Sequence, residues 1–158
     1  MQGDQRVTGQ AAGPVWPSAS PPAARPALAW DLHAIAELPR VRAELRRHSL
    51  THPAARPTAM DDETAADLRD QLILALDEMA SNALRHGGGT VRAAVRLTTD
   101  AYLIEVSDGA AASPPSPAVD RDPSEGGLGL YLIAEMSSAH GWYVSDGAKH
   151  VWALLPRA

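Results

Sequence analysis

The chain has 158 residues, 45% of them apolar, which is enough for one domain with its own core and too short for two. A formal net charge of −5 argues against a nucleic-acid binder. The absence of cysteine excludes disulfides, a thiolate nucleophile and cysteine-ligated zinc, and without phenylalanine the core must rest on Leu, Ile, Val and a few Trp and Tyr.

No uninterrupted apolar run is long enough to span a bilayer, and no basic-then-apolar segment opens the chain. The expectation is a cytoplasmic protein with no membrane segment. Residues 1–26 carry Pro14, Pro17, Pro21, Pro22 and Pro26 among Gly, Ala and Ser. Such a composition buries too little apolar surface to offset its ordering entropy, so it reads as a disordered tail ahead of one domain over 27–158.

Ala27–Leu32 alternates as a short strand, with Leu28, Trp30 and Leu32 on one side. Pro39 suits the first turn of a helix whose apolar side is Leu38, Val41, Leu45 and Leu50. Arg40, Arg42, Arg46 and Arg47 make its other side basic, which reads as a solvated face. His48 and His52 stand four apart but lack the further ligands that a zinc site needs, so they read as loop residues.

Asp61, Asp62 and Glu63 place negative charge where a helix dipole favours it, at the start of a helix running through Leu68, Leu72, Leu76 and Met79 to His86. Gly87, Gly88 and Gly89 stop that helix. Thr90–Leu97 alternates strictly, Thr98-Thr99-Asp100 turns, and Tyr102, Ile104 and Val106 continue in a second strand, which makes an antiparallel hairpin. A long proline-bearing connection over 110–125 follows. Gly126-Gly127-Leu128-Gly129-Leu130 opens a third helix, which His140-Gly141 is expected to close. Trp142–Ser145 and Lys149–Leu155 form a last hairpin around Asp146-Gly147. The economical architecture is α+β: a two-layer sandwich of a mostly antiparallel mixed sheet with helices on one face.

Three polar signals fall in order along these elements. On the second helix Glu78, Asn82 and His86 follow one another at steps of four residues, each rotating by about 40°, so they form one polar stripe. Asp108-Gly109 ends a strand, where a carboxylate can accept from an exocyclic amine. Gly127-Leu128-Gly129 presents backbone N–H groups at a helix start, which suits a phosphate. Taken singly, each has a plain structural explanation: a solvated helix side, a turn, and a turn before a helix.

Together they resemble the ATP-binding (Bergerat-type) domain shared by gyrase, Hsp90, histidine kinases and MutL, and most closely the small bacterial anti-sigma-factor serine kinases. Leu-Asp-Glu-Met-Ala-Ser-Asn-Ala-Leu-Arg-His-Gly, residues 76–87, looks like the first box of that family, Glu-x-x-x-Asn-Ala-x-x-His. Val106-Ser-Asp-Gly stands at its adenine box and Gly127-Leu-Gly-Leu at its second glycine box. The resemblance covers roughly residues 27–156. It implies that Asn82 coordinates Mg²⁺ bridging the phosphates of ATP and that Glu78 activates the phosphate acceptor. It implies that Asp108, with Gly109, meets the adenine amino group. Gly127, Leu128 and Gly129 then approach the phosphates under a lid over 110–125. Arg85 and His86 mark the end of the first box.

Two departures stand out: the adenine box has Ala110, Ala111 and Ala112 in place of a second glycine, and the lid has no cation beyond Arg121. With no helical hairpin carrying a phospho-accepting histidine, a complete sensor kinase is not expected. The implied activity is a serine-protein kinase controlling a sigma factor through a phosphorylatable antagonist protein, with a homodimer suggested by the same resemblance. The alternatives are an ATP-binding partner switch that transfers nothing, docking through the basic 40–47 helix, and an α+β protein with no nucleotide.

Overall fold

Five strands form one sheet in the order β1-β2-β3-β5-β4, with every neighbouring pair antiparallel. They are β1 (Arg25–Leu32), β2 (Val91–Leu97), β3 (Ala101–Asp108), β4 (Ala139–Ser145) and β5 (Ala148–Pro156). The computed structural model describes residues 16–51, 61–115 and 128–157. Among the described residues three α-helices accompany the sheet: α1 (Leu38–Thr51), α2 (Asp62–Asn82) and α3 (Leu128–Met136). This is the expected α+β architecture. The 90–106 and 142–155 hairpins form as the alternation and turn residues dictate, and β5 returns to pair with β3.

Strand alternation sorts the side chains into two faces. Leu32, Val91, Ala93, Val95, Ile104, Val106, Val151, Ala153 and Leu155 point to the helical layer and are buried with Leu38, Val41 and Leu45 of α1, Leu72, Leu76 and Met79 of α2, and Ile133 of α3. Each fully buried Leu or Ile contributes roughly 2 kcal/mol. Asp61 caps α2, its side chain accepting from the Thr64 backbone N–H at 2.7 Å.

The arginine side of α1 is engaged within the molecule. Arg42 pairs with Asp77 of α2 at 2.6 Å and Arg46 with Asp70 at 3.4 Å, while Arg40 meets Glu37 and Glu44. The expected solvated face is therefore partly a seam between the two helices. Sequence spacing places these arginines on one side of α1 but carries no information on which helix lies beside them.

Residues 16–26 also differ from the expected tail, whose first fifteen residues lie outside the described ones. Trp16 is 4% exposed and sits edge-on to His140. Residues 17–19 extend the sheet beyond β4: the Trp142 N–H donates to the Pro17 carbonyl and the Ala19 N–H to the Trp142 carbonyl, both at 2.9 Å. This parallel bridge at Ser18–Trp142 is the mixed element of the sheet. Trp152 Nε1 reaches across to the Ala19 carbonyl at 2.8 Å. Its indole passes over Gly141, where an added Cβ would lie 3.0 Å from the ring. His140-Gly141 accordingly belongs to β4, and α3 ends earlier, at Met136. An unpaired strand edge and a buried indole N–H both need partners, and those needs outweigh the proline content of the segment.

On the face away from the helices, Glu105 is buried and shared by three groups. Tyr143 Oη donates to it at 2.7 Å, His150 Nδ1 lies at 2.8 Å and Arg96 at 3.4 Å. Burial, and then the hydrogen bond and charge of Glu105, push the Tyr143 hydroxyl up to about 12. We expect Glu105→Ala to lower stability by roughly 1–3 kcal/mol in urea unfolding, because it takes the shared acceptor from three half-buried groups. The Tyr143 titration, followed by ultraviolet absorbance, should move down toward 10 in the same variant.

Candidate functional site

The helix carrying the polar stripe buries Leu72, Ile73, Leu76, Met79 and Ala80 against the sheet, which leaves Glu78 exposed and Asn82 half-buried at its last α-helical position. Beyond Asn82 the backbone widens into a π-helical turn over Ala83–Gly87. Such turns are rare, and those that occur are frequently at functional sites. Here the wider turn swings Gly87 inward, and its consequences are specific. Gly87 is buried against Asp108 of β3, and a Cβ added there would strike the Asp108 carboxylate and stand 2.6 Å from the Asp108 Cβ. Gly88 then takes φ +68°, a conformation that favours glycine, and its carbonyl accepts from the Gly109 N–H at 2.8 Å.

The end of α2 and the Asp108-Gly109 corner thus hold each other, although twenty residues and a hairpin separate them in the chain. We expect Gly87→Ala to destabilise the fold by about 1–3 kcal/mol, because the obstacle is a short side chain fixed on a central strand. ATP affinity, read by calorimetry, should fall with it as Asp108 is displaced.

Asp108 is 4% exposed. One carboxylate oxygen accepts from the Ala110 N–H at 2.8 Å, so alanine serves in the turn where a second glycine is usual. The other oxygen faces Lys149, whose Nζ stands 3.7 Å away and donates to the Ser113 carbonyl at 2.9 Å. Lys149 is opposite Asp108 in the β3–β5 register. A carboxylate has about four acceptor sites, so this arrangement leaves Asp108 with spare capacity.

One pocket collects these groups. Its walls are Met79 and Ala83 of the α2 helix and its π turn, Val106 of β3, Leu130 of α3, Val151 of β5, and Pro115; its polar groups are Asn82, Asp108 and Lys149. Apolar walls with a few placed polar groups are the usual make-up of a small-molecule site. Just outside, Gly129 in the first turn of α3 packs on Glu78, where an added Cβ would collide with the carboxylate and lie 3.0 Å from the Glu78 Cβ. The arrangement can hold a flat, partly apolar ring with an exocyclic N–H, next to an amide oxygen and an exposed carboxylate.

Residues 35–154 match the family model of the histidine kinase-like ATPase domain. The chain belongs to that family. No curated protein matches it. A histidine kinase-like ATPase domain binds ATP, and the residues present fit the nucleotide: a buried carboxylate with free acceptor sites at the pocket floor, apolar walls, and an amide at the side.

Of the residues expected at the site, Asn82 and Asp108 line the same pocket, Gly109 is tied to Gly88, and Glu78 and Gly129 touch. Leu128 begins α3, and Gly127 lies outside the described residues. Arg85 and His86 are exposed and do not line the pocket. Lys149 was not expected there. Its signal is the alternation of β5, which puts 149 on the same face as Val151, Ala153 and Leu155, but only the pairing with β3 reveals what it faces. Among the described residues no helix is long and apolar enough to cross a membrane.

Proposed function

We propose that this ATPase domain is an ATP- and Mg²⁺-dependent serine-protein kinase of the anti-sigma type, a cytoplasmic protein that holds a sigma factor and phosphorylates a serine on an antagonist protein. The observation that carries the reading is that Glu78 is exposed beside Gly129, one helical turn from Asn82, which lines the pocket with Asp108. A carboxylate open to solvent at the mouth of a nucleotide pocket is accessible to a hydroxyl presented by another protein.

Bound ATP supplies the phosphoryl group. Asp108 accepts from the amino group of the base and so fixes the depth at which the nucleotide sits. Asn82 would hold Mg²⁺ through its side-chain oxygen, and that hard cation would supply charge neutralisation at the phosphates. Glu78 orients the serine hydroxyl and takes its proton as the serine oxygen bonds to the γ-phosphorus and the bond to the β–γ bridging oxygen breaks, so that ADP leaves. Gly129 leaves room for that carboxylate.

A second reading, in which ATP switches partner binding without transfer, has one observation in its favour. Among the described residues the cation lining the pocket is Lys149, which stands beside Asp108 and hence at the base end, away from the phosphates. The basic side of α1 gives this reading less help than the sequence implied, since Arg42 and Arg46 are engaged with α2. Calorimetric titration of ATP with and without Mg²⁺, followed by labelled transfer to co-purified partner proteins, decides between them. Mg²⁺-enhanced binding with label on a partner serine supports the kinase, binding without label supports the switch, and no binding removes both.

A further inference from the structure

Lys149 is the charged group of the pocket that the polar stripe and the two boxes leave without a task. It is 9% exposed, on a central strand, directly opposite Asp108. An ammonium has three donors, and one is satisfied by the Ser113 carbonyl at 2.9 Å. The nearer Asp108 oxygen stands at 3.7 Å, beyond direct hydrogen-bond reach. The pocket floor therefore displays an acceptor with spare lone pairs and, beside it, a donor with spare protons.

We propose that Lys149 reads the purine base together with Asp108, and that it admits 6-oxopurine nucleotides as well as 6-aminopurine ones. The inference rests on the nucleotide reading of the site. A lone buried carboxylate accepts from an exocyclic amine and repels a carbonyl oxygen placed at the same position. An adjacent ammonium removes that discrimination. A 6-aminopurine offers N–H at position 6 and an acceptor at N1, whereas a 6-oxopurine offers the reverse, an acceptor at position 6 and N–H at N1. The carboxylate alone answers the amine, whereas a 6-oxopurine needs both groups, its N1 N–H donating to Asp108 and its position-6 oxygen accepting from Lys149. Lysine suits this role because its charge is compact and its stem flexible, so the donor can reach that oxygen.

The test uses the full chain and calorimetric titration with ATP and with inosine triphosphate, which differs from ATP in the position-6 group and the N1 proton. The native protein should bind the two within about tenfold of one another. Lys149→Met keeps the stem and removes the donor, and it should weaken inosine triphosphate relative to ATP by on the order of tenfold or more, the usual effect of a lost hydrogen bond to a charged group. Lys149→Arg, which keeps the charge, should retain part of the 6-oxopurine affinity. A native preference for ATP well beyond tenfold, or a Lys149→Met variant with an unchanged ratio, overturns the inference while leaving ATP binding in place. Failure of the native protein to bind ATP overturns the nucleotide reading itself. Should Lys149→Met not fold, the native ratio alone decides.

Discussion

Asp108→Asn should lower ATP affinity by about a hundredfold while the protein stays folded. The size follows from the hydrogen-bond geometry. The Ala110 N–H holds one side-chain oxygen of Asp108 at 2.8 Å, so an asparagine in its place keeps its amide oxygen there. Its NH₂ group then takes the position of the second carboxylate oxygen, where the base requires an acceptor. The substitution removes a charge-assisted hydrogen bond and sets a donor against a donor, and losing such a bond is worth about 1.5–3 kcal/mol, or roughly tenfold to a hundredfold in affinity. The same NH₂ faces the Lys149 ammonium, so a small loss of stability accompanies the change. Calorimetric titration measures the affinity and circular dichroism the fold. An affinity within threefold of native would mean that Asp108 serves only to brace Gly87 and Lys149.

Much of this site was readable from local pattern. Glu78 and Asn82 at their i, i+4 spacing, Asp108 at the end of a strand and Gly129 in the first turn of a helix stand on the elements that the local pattern predicts. What escaped was set by partners distant in the chain. Lys149 acquires meaning only when β5 pairs with β3, forty residues earlier, and no feature of Ala148-Lys149-His150 announces that register. Arg42 looks solvated until Asp77 is packed against it. The segment at 16–19 looks unstructured because composition counts its prolines but not the open edge of β4 or the indole N–H of Trp152 that it satisfies. The π turn at Ala83–Gly87 is a compromise between continuing α2 and seating Gly87 on Asp108, and helix propensity alone gives no sign of it. These residues resolve long-range demands, so local rules place them on elements without revealing their neighbours.

Glu78→Gln should separate turnover from binding. Glu78 is exposed and does not line the pocket, and among the described residues its close neighbour across the site is Gly129 of α3. Glutamine keeps the volume and the contact with that glycine, so α3 retains its seat and ATP affinity should stay within about threefold. A glutamine side chain does not accept a proton at neutral pH, and general-base assistance is typically worth 10²–10⁴-fold in rate. Phosphoryl transfer to the partner serine, followed with labelled ATP under single-turnover conditions, should fall by about that factor. Parallel loss of affinity and rate would identify Glu78 as a binding or structural group, with Gly129 packing on it to hold α3 in place. An unchanged rate with unchanged affinity would instead move the proton acceptor elsewhere, and it would strip the kinase reading of the residue on which it stands.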